Sequence, residues 1–321
     1  PVGAAAAAQA RGYAALAITD ECSLSGVVRA HEAALQQGLH LLIGAQMTLS
    51  ASRGGDGAVL ADHGPPHLLL LAQTRRGYGN LAQWISVARR RAPKGQYLAH
   101  PSDVEGRVPN APYLVGLPDC FAILLPQPGQ RFESVFAQAM WLKTWFGVER
   151  CAIAIELLNR PHDAQRREVL PRVAALSGLP LVACGDVLMH SRSRKPLQDV
   201  LTATRLGVTV ADGGLALQAN AEAHLRSRGR LAALYAPEWL AATLTIAASC
   251  AFSLAELRYE YPEEIVPAGH TPTSWLRELT EQGVRRRFPA GELPAVRQAI
   301  EHELALIAQL RFEPYFLTVA D

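Results

Sequence analysis

Gly12-Tyr13-Ala14-Ala15-Leu16-Ala17-Ile18-Thr19-Asp20, followed by apolar positions at helical spacing over residues 26–37, sets the pattern of the first 190 residues. A short run that is apolar throughout, rather than alternating, reads as a parallel strand buried on both faces. The same texture recurs at 39–44, 67–72, 121–125, 152–157 and 179–184, with helical patterns at 79–91, 132–146 and 164–176 between most of these runs. Repeated strand–helix order predicts an α/β fold with a parallel sheet, open or closed into a barrel. Six strands are visible. Residues 4–10 read as a helix, and in such an array a helix follows a strand. An earlier, seventh strand is therefore expected upstream of the chain, which looks like a piece of something larger.

The texture changes near residue 190. From Lys195 to Leu310 the pattern is mostly helical, punctuated by Gly213-Gly214, Pro237, Pro262 and Pro267. The uncharged stretch 239–255 is short of a membrane span and carries Thr243, Thr245, Ser249 and Ser253, so it reads as a buried helix. Residues 258–270 read as an extended linker. Thr271-Pro272 is a helix start, with threonine as N-cap and proline in the first turn. Pro294 opens a second long helix to about Leu310, and residues 314–321 form an apolar, strand-like run.

The chain has 321 residues, 49% hydrophobic and 19% charged. A disordered or collagen-like chain is excluded, and the length suits roughly two domains at about 150 residues each. A net charge of +2 advertises no nucleic-acid partner by itself. Cys22, Cys120, Cys151, Cys184 and Cys250 form no CxxC pair, which fits reduced thiols in a cytoplasmic protein. The start of the chain has no basic region of the secretory kind.

Polar side chains at the carboxyl ends of parallel strands converge on one face. Asp20 follows the first visible strand, Gln46 the second and Asp186 the sixth, while Glu156 lies within the fifth. Acidic residues there can hold hard divalent metals or act as acid–base groups; the same position also suits an N-cap for the next helix. His67 opens a run of four leucines, and His190 follows Asp186 by four. Each can equally be a strand-edge or loop histidine. His31, His40 and His63 have no partner at ligand spacing. The basic runs 89–91 with Lys94, 192–195 and 285–287 could meet phosphates but also read as solvated helix faces. No nucleophile elbow, P-loop or dinucleotide fingerprint is present.

Four stretches together are specific: 12–20 with Gly26-Val27-Val28; His67-Leu68-Leu69-Leu70-Leu71-Ala72 running into Gly77-Tyr78-Gly79-Asn80-Leu81; Gly185-Asp186-Val187-Leu188-Met189-His190 with residues 193–203; and Pro314-Tyr315-Phe316-Leu317-Thr318-Val319. These resemble, in order along the whole chain, the N-terminal region of bacterial C-family DNA polymerases of the replicative alpha-subunit type. The Gly-Asp-Val and Arg-Lys-Pro-Leu-Gln version looks most like the error-prone, damage-inducible branch. The resemblance implies a polymerase-and-histidinol-phosphatase (PHP) domain over residues 1–270. It would comprise a (βα)7 barrel lacking its first strand to about 190, a helical extension over 191–257 and the linker 258–270. Residues 271–321 would be the lead-in to a polymerase palm, with the acidic polymerase motifs beyond them. The longer protein would be a DNA-directed DNA polymerase of DNA repair and translesion synthesis. It would use Mg2+, DNA and deoxynucleotides, meet replication or mutagenesis proteins, and touch no membrane.

PHP barrels of related proteins bind a metal cluster and hydrolyse phosphoesters. Carried over residue by residue, the opening His-x-His falls on the missing strand. The strand-end Asp is Asp20, followed by Glu21 where His or Asn is usual. The acidic residue after the Leu-Ile-Gly run is Gln46, and the strand-opening His is His67. The final Asp-x-His keeps Asp186 but has Leu188, with His190 two residues further on. A neutral amide and an apolar side chain replace two ligands, and loss of even an outer-shell partner commonly costs about 10–100-fold in metal affinity. Asp20, His67 and Asp186 remain as weak metal candidates. The expectation is therefore an inert scaffold with no catalytic residue and no cofactor in this chain. The alternatives are an active metal-dependent phosphoesterase or 3′–5′ exonuclease, and a pure interaction module. A barrel with an open seam is also expected to be poorly soluble alone, or to dimerise.

Overall fold

A computed structural model describes residues 2–50, 60, 62–108, 111–257 and 266–320. The chain forms two compact units, Pro1–Leu257 and Arg258–Asp321.

The first unit opens with α1 (Val2–Ala10), then β1 (Ala15–Ile18) and α2 (Val27–Gln37). Ala5 and Ala8 of α1 are buried in a cluster with Val27, Ala30, Ala33 and Ala34 of α2. Alanine loses no side-chain entropy on burial, so two alanine faces pack at little cost. Gly38 ends α2 in the left-handed region at φ 61°, and its N–H is satisfied by the carbonyls of Ala34 and Leu35. There follow β2 (His40–Thr48), β3 (His67–Ala72), α3 (Arg75–Arg90), α4 (Pro101–Val104) and β4 (Cys120–Leu124). The unit continues with α5 (Phe132–Phe146), β5 (Cys151–Glu156), α6 (Asp163–Ser177), β6 (Leu181–Cys184), α7 (Lys195–Leu206), α8 (Arg228–Leu234) and α9 (Pro237–Ser249).

The six strands form one sheet in sequence order. β1 and β2 are parallel, as are β4, β5 and β6, but β3 runs antiparallel to both β2 and β4. The expectation of an all-parallel sheet is corrected at this strand. Leu68 and Leu70 are fully buried and Leu71 nearly so. Burial on both faces makes a run apolar throughout, whatever its direction. Among the described residues, the outer edges of β1 and β6 pair with no strand. Burial follows this order: β4 is buried at every position, whereas β1 is only partly buried and exposes Ala17.

Alternation along the strands divides the core. Leu68, Leu70, Leu124 and Ile153 pack with Trp84 of α3, Leu142 of α5 and Val173 of α6. Leu42, Leu71, Ile123, Ala154 and Val182 form a separate cluster, closed by Ile246 of α9 and by Cys250. The reading of 239–255 as a buried helix is corrected, because only Ile246 of α9 is buried. By length and composition alone, Pro237–Glu256 would also suffice to cross a membrane. Lack of charge reported composition, and the exposed positions hold Ala241, Thr245, Ala248 and Ser249 but also Leu244.

The second unit holds α10 (Pro272–Arg287), α11 (Pro294–Leu310) and α12 (Glu313–Ala320). Thr271 caps α10 by accepting from the Ser274 N–H, and Ser274 Oγ accepts in return from the Thr271 N–H. The apolar run at 314–320 is helical, not strand-like. Arg311 turns the chain in the left-handed region at φ 56°, and Leu317 then joins Leu276 and Ile307 in a small core. Pro314 sits in the first turn of α12, where its missing N–H costs nothing. Most of the expected linker, 258–265, lies outside the described residues, as do 51–59 and 61 of the β2–β3 connection.

Candidate functional site

All six strands contribute to one cavity of about 1230 Å³, lined among others by Ile18, Leu42, Leu71, Ile123, Glu156 and Val182. The sheet is thus curled around it. Asp20, Glu21, Gln46, Glu156, Asp186, Leu188 and His190 all reach its wall. The antiparallel direction of β3 brings His67 beside Gln46, which lines this cavity. His67 is the first residue of its strand, yet it pairs with Thr48, the last residue of β2. A histidine at a strand start meets residues at strand ends because one strand is reversed.

On the β2–β3 flank Glu21 and His67 are met by hydroxyl and amide partners. Nε2 of His67 lies 3.0 Å from Gln46 Nε2 and 2.8 Å from Thr48 Oγ1, while Nδ1 lies 2.6 Å from Gln127 Nε2. Thr48 Oγ1 donates to Glu21 Oε1 at 3.0 Å, and the Tyr97 hydroxyl donates to the same oxygen. Glu21 Oε2 is 3.9 Å from His67 Nε2. Burial pushes the Glu21 carboxyl up, but the nearby His67 and the hydrogen bonds from Tyr97 and Thr48 outweigh it and hold the group below its ordinary range. Burial and the Glu21 bond push the Tyr97 phenol up to about 12.

On the β5–β6 flank the carboxylates are met by arginines. Arg166, buried on α6, donates through Nη1 to Glu156 Oε2 at 3.2 Å and to the Glu156 carbonyl at 2.9 Å, and through Nη2 to the Pro126 carbonyl at 3.0 Å. Arg160 Nη2 lies 3.6 Å from Asp186 Oδ2 and donates to Gln218 Oε1 at 2.6 Å. Asp186 stands in the left-handed region at φ 40°, a backbone state that favours glycine. Burial, with Glu156 nearby, pushes its carboxyl up to about 6 against the pull of Arg160 and Arg166.

The residues singled out from sequence, His67 excepted, thus line one cavity, but they do not form one ligand set. Asp20 is exposed and stands against Gly26, where a Cβ would lie 2.8 Å from its carboxylate. The N-cap of α2 is Gly26, which has no side chain to accept from the helix N–H groups, so Asp20 is not the N-cap residue. Leu188 is half-exposed, and His190 packs against Gly3 of α1. Among the described residues, no three His, Cys, Asp or Glu side chains converge as a metal would need. Sequence reasoning missed Glu21 as a hydrogen-bond hub, Thr48, Tyr97 and Gln127, and both arginines. Tyr97 lies in a loop far along the chain and Arg166 within an ordinary helical pattern, so no local signal marked either.

Residues 3–152 match the PHP domain family, and residues 274–321 match the bacterial DNA polymerase III alpha NTPase domain. The chain is 54% identical over 310 residues to an error-prone DNA polymerase of Bordetella parapertussis, covering 97% of this chain and 29% of that protein. It is 52% identical over 317 residues to the error-prone DNA polymerase of Dechloromonas aromatica, covering 99% and 29%. The chain therefore spans under a third of the length of these curated relatives. A solved amidohydrolase from Chromobacterium violaceum overlaps at a TM-score of 0.39 and 15% identity, over 56% of this chain and 79% of that one. That likeness is too loose to bear on the site.

Proposed function

Because the chain belongs with the error-prone DNA polymerases and carries a PHP domain, we propose that its cavity rim is a retired metal site. The unit then serves as a structural scaffold for a polymerase whose chemistry lies elsewhere in the longer protein. The observation that supports this most is the pairing of Glu156 with Arg166 and of Asp186 with Arg160. A divalent cluster needs negative charge that is free to meet it. Here a cation brought to either carboxylate meets a guanidinium already in place.

The remaining positions do not fit a metal either. Both ring nitrogens of His67 are engaged by side chains. Gln46 supplies a neutral amide and Leu188 only apolar surface. No step is therefore routed through a metal at this rim. The longer protein would be a DNA-directed DNA polymerase acting on DNA and deoxynucleotides with Mg2+, in repair and translesion synthesis, in the cytoplasm, and alongside replication or mutagenesis proteins. In that reading residues 1–270 are the PHP domain, 271–321 lead into the palm, and a strand upstream of α1 completes a seven-stranded barrel.

One observation favours the second reading, an active phosphoesterase or 3′–5′ exonuclease. Asp186 combines an unusual backbone state with a carboxyl pushed up to about 6 inside a cavity, which is how acid–base groups are often set. The experiment that separates the two uses the full-length natural protein and a primer with a mismatched 3′ end. The scaffold reading expects primer extension with no nucleotide release above background. Release that disappears in an Asp186→Ala variant would establish the nuclease instead.

A further inference from the structure

A side chain stands where the ladder between β5 and β6 would place its next rung. The Ile153 N–H donates to the Pro180 carbonyl at 2.9 Å, and the register pairs Ile153 with Leu181, Ile155 with Ala183 and Glu156 with Cys184. The donors of a parallel ladder recur at every second residue, so the rung after Ile155 would run from the Leu157 N–H to the Cys184 carbonyl. Instead the Leu157 N–H donates to the Tyr235 hydroxyl at 3.1 Å, and that hydroxyl donates to the Cys184 carbonyl at 2.9 Å. Tyr235 is buried and caps the C-terminus of α8, just ahead of α9.

The direction of these bonds is fixed. A phenol oxygen has one proton to give and lone pairs with which to accept. The Leu157 N–H can only donate, so the phenol proton belongs to the Cys184 carbonyl. Arg226, whose side chain is 2% exposed and whose Nη2 donates to the Glu222 carbonyl at 3.1 Å, also hydrogen-bonds to Tyr235. Packing accounts for the buried ring. It does not account for a hydroxyl set between an N–H and a carbonyl that would otherwise meet.

The inserted oxygen lies beside the two carboxylates of this flank, since Glu156 precedes Leu157 and Asp186 follows Cys184 by two. In an unbroken ladder Asp186 would be extended, with its N–H on the Leu157 carbonyl. With the strands parted it turns into the left-handed region at φ 40°. There Arg160 lies 3.6 Å from its carboxylate, while Glu156 keeps Arg166 at 3.2 Å.

We propose that Tyr235 is a positioning residue for this flank. Its hydroxyl replaces a rung of the sheet, parts the ends of β5 and β6 by one intervening oxygen, and so sets the backbone turn that presents Asp186 to Arg160. The helical segment that follows the sheet thereby shapes the rim. The inference concerns where the carboxylates stand and is independent of whether the metal site is retired.

Residue-resolved hydrogen exchange on the full-length natural protein tests it. In the unaltered protein the Leu157 amide is expected to be protected, although no strand carbonyl accepts it. Exchange there at the rate of an open strand end would overturn the proposal without any variant. Tyr235→Phe keeps the ring and strands a buried N–H and carbonyl, so it is expected to speed exchange at Leu157 by about tenfold while 121–124 stay protected. Unchanged exchange at Leu157 would overturn the bridge. Positioning is separated from a merely structural tie at the amides of Leu188 and Met189, which donate to the Ala223 carbonyl just beyond Asp186. Arg160→Gln is expected to speed exchange there in the natural protein and to add nothing in the Tyr235→Phe background. Effects that multiply in the double variant would show that the two residues act separately and overturn the positioning role.

Discussion

The two flanks of the cavity rim both carry titratable groups and quiet them in different ways. Between β2 and β3, Glu21 and His67 are held by hydroxyls and amides from Thr48, Tyr97, Gln46 and Gln127. Between β5 and β6, Glu156 and Asp186 are held by Arg166 and Arg160. Neutral donors stabilise a carboxylate without adding charge, and each is worth little by itself. A guanidinium cancels the charge, but removing it strands the partner. The flanks should therefore differ in how much a single side chain matters and in how pH acts on them.

The largest effect is expected at Arg166. It is nearly buried beside an equally buried Glu156, so Arg166→Met should cost about 3–5 kcal/mol in urea unfolding. The double change Arg166→Met with Glu156→Leu should recover most of that loss. Tyr97→Phe on the opposite flank removes a donor to Glu21 and the acceptor of the Thr48 N–H, and should cost about 1–2 kcal/mol. Equal costs for the two single changes would break the comparison.

The pH dependence should carry opposite signs. Asp186, pushed up to about 6 by burial and by Glu156, holds its proton more tightly in the folded chain than in the unfolded one. Stability should thus fall as pH rises from about 4 to about 6, and Asp186→Asn should abolish that fall in a series of Tm measurements. Glu21 is held below its ordinary range, so its contribution is present above that range and is lost as pH falls through its folded value. Tyr97→Phe should shrink this acid-side loss and leave the Asp186-dependent fall in place. The smallest effect is expected for Leu188→His, at a half-exposed position. It should change stability by less than about 0.5 kcal/mol and leave zinc affinity, measured by titration calorimetry, unmoved. A gain in affinity from this one change would show that the arginines do not close the site.

Much of this was legible in the residues and some was not. Short apolar runs located all six strands to within a few positions, since burial on both faces leaves a local mark. The direction of β3 left none, and with it went the reason that His67 faces Thr48. In the run at 314–320 only Leu317 reaches a small core while Tyr315, Phe316 and Val319 are exposed, and a short apolar run does not say whether its period is two or 3.6. The loss of acidity at Gln46 and of histidine at Leu188 could be read directly. What took over the surviving carboxylates could not, because Arg160 and Arg166 meet Glu156 and Asp186 only through the fold. Arg226 likewise looks like any arginine until its burial is known.

The central claim is that internal arginines, not metal, neutralise the carboxylates of this rim. It is tested most directly by the zinc and manganese retained by the full-length natural protein after dialysis, measured by elemental analysis and compared with the Asp186→Ala variant. Substoichiometric metal, the same in both proteins, is the predicted result; stoichiometric zinc or manganese lost in the variant would contradict it.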